Sequence, residues 1–264
     1  MKKLAAALAL SLLPLAFAAQ AEITTTDVVG RKVTVPDVPK RVVLGFYYED
    51  YLAIAGPGSL DRVVGLSLTT WKDWRPKQFA AYEKALPKLK TLPDVGSTDD
   101  NTFSIEKLIA TKPDLLILAT FSYEALGESV KQIEAAGIPV LVLDYLSQTV
   151  DKHVASTLAL GKIMGQEKRA QELADNYRKA FEDIDARIKK AGPTKKKVYF
   201  ELAQKGASEV GNSYGNSMWG ALITQLGGHN IAEGQVGNWG PLSPEYVLSQ
   251  KPDLIFLAGS EWLN

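Results

Sequence analysis

Alternating apolar and polar positions divide the chain into strands and helices. Polar and β-branched residues alternate over residues 24–46, which predicts a β-hairpin that leads into a strand at residues 41–45. Further strands are predicted at residues 63–66, 115–119 and 140–144, and helices near Asp50, near Ile105 and over residues 123–136. Strands that alternate with helices form a mainly parallel sheet, so residues 22–148 are predicted to form one α/β lobe.

A helical period then continues from residue 149 to residue 190, and only Gly161 and Gly165 weaken it. Gly192 and Pro193 end the pattern. It predicts a linker helix over residues 149–192, of which residues 166–190 alone would extend about 37 Å. A second α/β pattern follows, with a strand at residues 197–202 and a helix at residues 217–226, and it predicts a second α/β lobe over residues 193–264.

A repeat of sixteen residues supports the two lobes. Residues 104–119 read SIEKLIATKPDLLILA and residues 243–258 read SPEYVLSQKPDLIFLA, with eight identities at an offset of 139 positions. Solenoid repeats are roughly 20 to 50 residues long, so this period indicates a duplicated α/β lobe instead. The alternative is two ordinary helix–turn–strand units with common turn chemistry, which explains the repeated Pro but not the matched Glu and Lys. Asn264 corresponds by this offset to Ala125, so we expect an incomplete second lobe with an uncovered sheet edge.

The N-terminal sequence and the composition predict an exported protein. MKK precedes an uncharged apolar run and a small-residue site that ends at Ala21, which predicts a secretory signal peptide over residues 1–21 and a periplasmic mature chain. The apolar run is too short for a membrane span. The chain has no Cys, so its fold relies on its core. Its 30 basic and 30 acidic residues cancel, which gives no indication of nucleic-acid binding, and we expect a monomer.

Two glutamates occupy the same place in the repeat. Ser104 and Ser243 stand where a helix N-cap is expected, and Glu106 and Glu245 follow two residues later. An acid in the first turn of a helix interacts favourably with the helix dipole and needs no partner, which is one interpretation. The other is that matching acids in each lobe present two negative charges to one partner surface.

Aromatic and polar residues cluster where strands are expected to end. Open α/β sheets bind ligands beyond the carboxyl ends of their strands, and two facing lobes would surround one cleft. Tyr and Trp there suit a large, partly apolar ligand, and Lys72 and Arg75 can meet its anionic groups. Ordinary packing is the alternative for any single aromatic residue. The cleft candidates are Tyr47, Tyr48, Trp71, Trp74, Arg75, Tyr123, Tyr214 and Trp239.

One motif is typical of enzymes. Residues 211–215, GNSYG, match the nucleophile-elbow pattern G-x-S-x-G with Ser213 as the nucleophile. A triad needs an acid and then a His after the Ser, yet residues 214–228 contain no Asp or Glu ahead of His229. His153 and His229 are the only histidines, so we expect no metal site rich in imidazole and interpret each as a surface or loop residue. No catalytic residue and no cofactor are expected, with a secreted hydrolase at Ser213 as the alternative.

Seven segments, taken in order, carry a resemblance to a known family. They are residues 27–36 (DVVGRKVTVP), 39–43, 104–118, 137–140, 161–170, 226–232 (LGGHNIA) and 243–257. Their order and spacing are similar to those of the class III periplasmic substrate-binding proteins, which serve ABC importers of ferric siderophores, haem and cobalamin. The resemblance covers nearly the whole mature chain.

The resemblance implies two Rossmann-like α/β lobes joined by one rigid helix, with a ligand held in the cleft between them. It implies that Glu106 and Glu245 dock onto arginines of the transmembrane permease. A ferric siderophore is the first choice of ligand, delivered to the importer without chemistry, and haem or cobalamin remain open because a Tyr can be an axial ligand of haem. Members of the family continue through further strands and a C-terminal helix, so the end at Asn264 departs from the pattern.

Overall fold

The computed structural model describes residues 22–56, 58–192, 194, 196–202 and 211–259. The predicted signal peptide lies outside these described residues. The strands are β1 Ile23–Thr26, β2 Lys32–Val35, β3 Val42–Leu44, β4 Val63–Leu66, β5 Leu115–Ala119, β6 Val140–Leu143, β7 Lys197–Leu202, β8 Asn212–Tyr214, β9 His229–Asn230, β10 Trp239–Pro241 and β11 Leu254–Ala258. The α-helices are α1 Tyr48–Ala55, α2 Leu68–Trp74, α3 Pro76–Ala85, α4 Ile105–Ala110, α5 Thr120–Leu126, α6 Ser129–Ala135, α7 Val150–Ile163, α8 Glu167–Ala191, α9 Met218–Gln225 and α10 Pro244–Gln250. No described helix is long and apolar enough to cross a membrane.

The first lobe is built on a four-stranded parallel sheet in the order β4-β3-β5-β6. Successive residues of β5 point to opposite faces of the sheet, and both faces are covered by helices. Ile117 packs in the core on the face covered by α1 and α7, whereas Leu116 and Leu118 pack on the face covered by α4 and α6. This arrangement confirms the α/β class and the parallel sheet predicted from the apolar runs. The antiparallel hairpin β1–β2 precedes the sheet, also as predicted.

The predicted linker helix over residues 149–192 is two helices in the structure. The break falls between Ile163 and Glu167, where Gly165 has a φ of +65° that favours glycine. After this break α8 folds back along α7, because a Cβ atom on Gly161 would lie only 2.1 Å from the Cβ of Ala170. The helix α7 packs against α1, β1 and β6, so it belongs to the core of the first lobe. The 25-residue helix α8 is the long element that the pattern predicted.

The second lobe has a mixed sheet around β7. Strand β7 pairs in parallel with β11 and β9 and antiparallel with β8, which in turn pairs with β10. In the described part of the chain β11 is the edge of this sheet. Its apolar residues Leu254–Leu257 are each about half exposed, whereas the matching residues of β5 are buried. The domain boundaries themselves stay a prediction.

Several repeated residues have equivalent structural positions in the two lobes. Ser104 caps α4 by accepting a hydrogen bond from the backbone N–H of Lys107, and Ser243 caps α10 in the same way. The repeated lysines, Lys112 and Lys251, leave these helices with φ values of +48° and +49°. The two lysines therefore hold equivalent turn positions, although this backbone geometry does not itself select Lys.

The repeated Asp fastens each turn to the neighbouring strand. The carboxylate of Asp114 accepts hydrogen bonds of 2.8 Å from the backbone N–H groups of Lys40 and Arg41, just before β3. The carboxylate of Asp253 accepts one of 2.7 Å from Lys197, at the start of β7. The contact therefore sets the register of a parallel strand pair in each lobe. The pair is β3 with β5 in the first lobe and β7 with β11 in the second.

Candidate functional site

A cavity of about 310 Å³ opens beyond the carboxyl end of β3. Strand β3 lies between β4 and β5 in the sheet. The chain passes from β3 to β4 on one side and then crosses to β5 on the other side, so the carboxyl end of β3 is a topological switch point. Open α/β sheets bind ligands at such points. The wall comes from the β3–α1 junction, from α2 and α3, from the segment after β6, from α7 and from the start of α9. It consists of Phe46, Tyr47, Tyr48, Glu49, Asp50, Thr70, Trp71, Trp74, Arg75, Gln78, Tyr145, Leu146, Gln148, His153 and Met218.

The chain turns sharply at the end of β3. A Cβ atom on Gly45 would lie 2.7 Å from the Cδ2 of Leu118, so this position accepts only glycine without a shift in the core. Tyr47 then takes a left-handed φ of 59°, which is unusual for an aromatic residue. Its hydroxyl accepts a hydrogen bond of 3.1 Å from the backbone N–H of Tyr145, and the two rings meet edge to face at 5.0 Å. This contact joins the ends of β3 and β6 at the floor of the cavity.

A stacked aromatic pair forms the α2 side of the wall. The rings of Tyr48 and Trp71 stack at 4.7 Å with an angle of 11°. The Tyr48 hydroxyl donates to the carbonyl of Ser67 at 2.7 Å, and the Trp71 indole N–H donates to Glu49 at 2.9 Å. Both rings are buried, so they shape the wall, whereas Trp74 is 51 % exposed at the rim and is free to contact a ligand.

Two acids and one guanidinium supply the charge of this wall. The guanidinium of Arg75 lies 3.3 Å from both carboxylate oxygens of Glu49. Asp50 is the next residue of α1, and in the described residues it takes part in no ion pair. Burial raises the pKa of Asp50 from 3.8 to about 6, and the neighbouring Glu49 adds to this increase. At pH 7 the Asp50 carboxylate is therefore ionised, although its partly buried surroundings make the charged form unfavourable.

The linker-helix side of the cavity carries a histidine. His153 stacks face to face on Tyr177 of α8 at 3.7 Å and meets the edge of Tyr145 at 4.7 Å. Its Nδ1 atom is buried and has no hydrogen-bond partner among the described residues. Burial lowers the pKa of His153 from 6.5 to about 4, so the ring is neutral at pH 7. The interpretation of His153 as a surface or loop residue is therefore wrong, whereas His229 is exposed.

The second lobe reaches the cavity through the start of α9. The backbone N–H of Met218 donates to the carbonyl of Leu146 at 3.0 Å, and the side chain of Gln225 donates to the carbonyl of Gln148 at 2.6 Å. Met218 itself lines the cavity. The site therefore lies where the two lobes meet, which is the place predicted for a ligand cleft.

Five of the eight predicted cleft residues come together in this wall: Tyr47, Tyr48, Trp71, Trp74 and Arg75. The structure does not bring the other three to it. Tyr123 lies on α5 under the guanidinium of Arg31, 4.7 Å from the ring centre, and packs with the core on the other face of the sheet. Tyr214 and Trp239 are cross-strand partners in the second lobe, away from the described wall.

Sequence reasoning missed part of the wall. The wall residues that were not among its cleft candidates include Glu49, Asp50, Tyr145, Gln148, His153 and Met218. Glu49 and Asp50 follow the aromatic run directly, so extending that run by two polar residues would have found them. The position of His153 depends on the packing of α7 against α8, for which the local sequence gives no signal.

The structure does not support the hydrolase alternative. Ser213 lies inside the short strand β8, paired with Gly240 of β10, and not at a strand-to-helix elbow. Its hydroxyl oxygen is buried and has no hydrogen-bond partner among the described residues, and His229 is exposed. A nucleophile needs a base within hydrogen-bond reach.

The two repeat glutamates lie on the surface. Glu106 is in the first turn of α4 and Glu245 in the first turn of α10, and both side chains are exposed. Neither forms an ion pair with a described residue. Their equivalent positions in the two lobes leave the docking role open as a prediction.

Comparisons with known proteins agree with this arrangement. A model of the family described as periplasmic binding protein matches residues 43–264. The uncharacterized ABC transporter substrate-binding lipoprotein YvrC of Bacillus subtilis is 26% identical over 234 residues, which cover 88% of this chain and 68% of that protein. The molybdate-binding protein MolA of Haemophilus influenzae is 26% identical over 263 residues, which cover 92% of this chain and 70% of that protein.

A solved structure is similar over most of the chain. The TroA-like periplasmic binding protein FepB from Veillonella parvula has a TM-score of 0.79 and 32% sequence identity, over 91% of this chain and 70% of that one. These relatives are substrate-binding proteins and not enzymes, which confirms the expectation of a binding protein and makes the hydrolase at Ser213 wrong. The chain belongs to the periplasmic binding proteins of ABC importers, the class III family that its sequence motifs resemble.

Proposed function

We propose that this protein is exported to the periplasm, captures a ferric chelate of the siderophore type and delivers it to the permease of an ABC importer. The observation that carries the proposal is the aromatic cavity at the switch point after β3, closed on one side by α9 of the second lobe. A cavity in this place can bind and release a ligand through a small change in the angle between the lobes.

The chemistry of the wall favours a metal that arrives with its own ligands. No group of three or more His, Cys, Asp or Glu in the described residues is placed to hold an ion. The three wall tyrosines are Tyr47, Tyr48 and Tyr145, and burial raises the pKa of each phenol well above its ordinary value. Protonated phenols are poor metal ligands, and the Tyr48 hydroxyl already donates to a backbone carbonyl. A chelate with a complete coordination shell fits this wall better than a bare ion.

A small oxyanion fits the described wall less well. Such an anion needs converging cations or N–H donors. Arg75 is the only Lys or Arg in the described wall, and its guanidinium is held by Glu49. The similarity to the molybdate-binding protein MolA therefore does not decide which ligand this chain binds.

Haem or cobalamin is the alternative ligand. Both are large and partly apolar, as the aromatic wall requires. A haem with one of the wall phenols as its axial ligand is opposed by the raised pKa values of these phenols. The ferric chelate therefore remains the first choice.

Fluorescence titration of the full-length protein tests the ligand. Trp71 and Trp74 lie in the wall, so ferric siderophores, haem and cobalamin should each quench their emission if they bind there. We expect saturable quenching by at least one ferric siderophore, reduced in a Trp74→Phe variant. A Trp219→Phe variant is the matched control, because Trp219 is also half exposed but lies outside the wall. Saturable binding of haem or cobalamin alone would replace the chelate, and no binding by any of them would refute the proposal.

Charge reversal tests the docking to the permease. In Glu106→Lys with Glu245→Lys, we expect loss of import in cells that contain the cognate permease, with ligand affinity unchanged, because both side chains lie on the surface. Glu172→Lys with Glu182→Lys is the control, since it reverses two exposed glutamates on α8. Equal import by both double variants would contradict the docking role, and loss of ligand affinity would place the repeat glutamates in the site or the fold.

A further inference from the structure

One carboxylate in the cavity wall forms no ion pair with a described residue. Asp50 is in the first turn of α1 and lines the cavity, and in the described residues no Lys, Arg or His forms an ion pair with it. The adjacent Glu49 differs, since it accepts from the Trp71 indole and holds Arg75. The charges of Glu49 and Arg75 cancel, so the described wall is left with the single negative charge of Asp50.

Stabilisation of the first turn of α1 explains only part of the position of Asp50. A first-turn acid stabilises a helix by about 0.3–1 kcal/mol when it stays in water, as Glu106 and Glu245 do. Asp50 is only partly exposed, and burial makes its charged form unfavourable. Groups kept in such surroundings within a cleft are candidates for ligand binding.

The surroundings of Asp50 suit a cation. The aromatic rings of Tyr47, Tyr145 and Trp74 line the same cavity, and ring faces attract ammonium and guanidinium groups. A cationic group of a ligand would find both a carboxylate and aromatic side chains here. A polyanionic ligand would meet an uncompensated negative charge.

We propose that Asp50 binds a positively charged group of the ligand, so that the preferred chelate carries a pendant ammonium or guanidinium and is not polyanionic. This inference rests on the proposed capture of a ferric chelate in the same cavity. In this proposal Asp50 selects chelates by their charge, and the aromatic side chains of the wall contact the apolar parts of the chelate.

A pair of ligands that differ in one charge tests the proposal. The first is a linear ferric trihydroxamate with a free terminal amine, and the second is the same chelate with that amine acetylated. With the full-length protein at pH 7.5, we expect the free amine to give an affinity about tenfold higher by calorimetry. A ferric tris-catecholate, which is polyanionic, should bind more weakly than either.

Two variants assign the preference to Asp50. In Asp50→Asn the ratio of the two dissociation constants should fall to about one, whereas Asp61→Asn, an exposed acid outside the wall, should keep it. Equal affinities for the two hydroxamates in the unmodified protein would overturn the proposal, as would a preference that survives in Asp50→Asn or tightest binding of the tris-catecholate. In these outcomes chelates still bind and the proposed function stands. If no ferric chelate of either charge binds, the proposed function fails and this inference fails with it.

Discussion

Asp50 also allows a quantitative prediction about stability. Its native pKa of about 6 lies about two pH units above the ordinary value of 3.8, so keeping it ionised in the native state costs up to about 3 kcal/mol. The cost is complete above pH 6 and absent below pH 4, because in the lower range the carboxyl is protonated in both the native and the unfolded state. An amide of the same shape carries no charge. We therefore expect Asp50→Asn to be more stable than the unmodified protein at pH 7.5 by up to about 3 kcal/mol, with the difference vanishing at pH 4.

Urea unfolding followed by circular dichroism at pH 4, 5, 6 and 7.5 measures this difference. Asp61→Asn is the control, since its side chain is exposed and its replacement should change the free energy of unfolding by less than about 0.5 kcal/mol at every pH. A less stable Asp50→Asn at pH 7.5, or a difference that does not depend on pH, would refute the reasoning. A gain in stability together with a loss of the amine preference would show that the loss is not caused by unfolding.

Three further predictions concern buried contacts of the first lobe. Gly161→Ala should destabilise the protein by about 1–3 kcal/mol in urea unfolding, because its Cβ would overlap the facing helix at 2.1 Å; the exposed neighbour variant Lys162→Ala should have little effect, and equal effects would contradict the packing argument. His153→Phe should keep the ring stack and remove the part of the loss of stability that His153 causes between pH 6.5 and pH 4, where the unfolded chain binds a proton that the native His153 does not; an unchanged acid profile would argue against a buried neutral ring. Asp27→Ala should cost about 2 kcal/mol, because the fully buried carboxylate binds the Arg31 guanidinium at 2.8 Å, and a loss below about 0.5 kcal/mol in the same assay would refute this role.

The first lobe was predictable because its strands are buried on both faces. Strands β5 and β6 consist of apolar residues only, and such runs have few alternatives in a domain with helices between them. The region between β4 and α4 was not predictable in the same way. Trp71 and Arg75 were expected beyond a strand end, but Trp71 lies in α2. The polar residues of this segment have no clear helical period. The helix forms because its aromatic residues pack against the core.

Two predicted helices are each divided in the structure, because a break in a helix can depend on tertiary packing that the local pattern does not contain. The helical period from residue 149 to residue 190 contains no proline, and a single helix satisfies it locally. The turn at Gly165 exists because Gly161 lets α8 approach α7. The predicted helix over residues 123–136 is likewise divided, at Gly127, into α5 and α6.

The sequence by itself determined the repeated α/β unit, the family and five residues of the cavity wall, because these depend on local patterns and on motifs of fixed spacing. The tertiary structure alone decided that His153 and Met218 join this wall while Tyr123 lies elsewhere, and that Asp50 forms no ion pair with a described residue. The physical reason is that burial and pairing are properties of distant segments brought together. A carboxylate or an imidazole acquires its charge state from its neighbours in space, and those neighbours are not its neighbours in the chain.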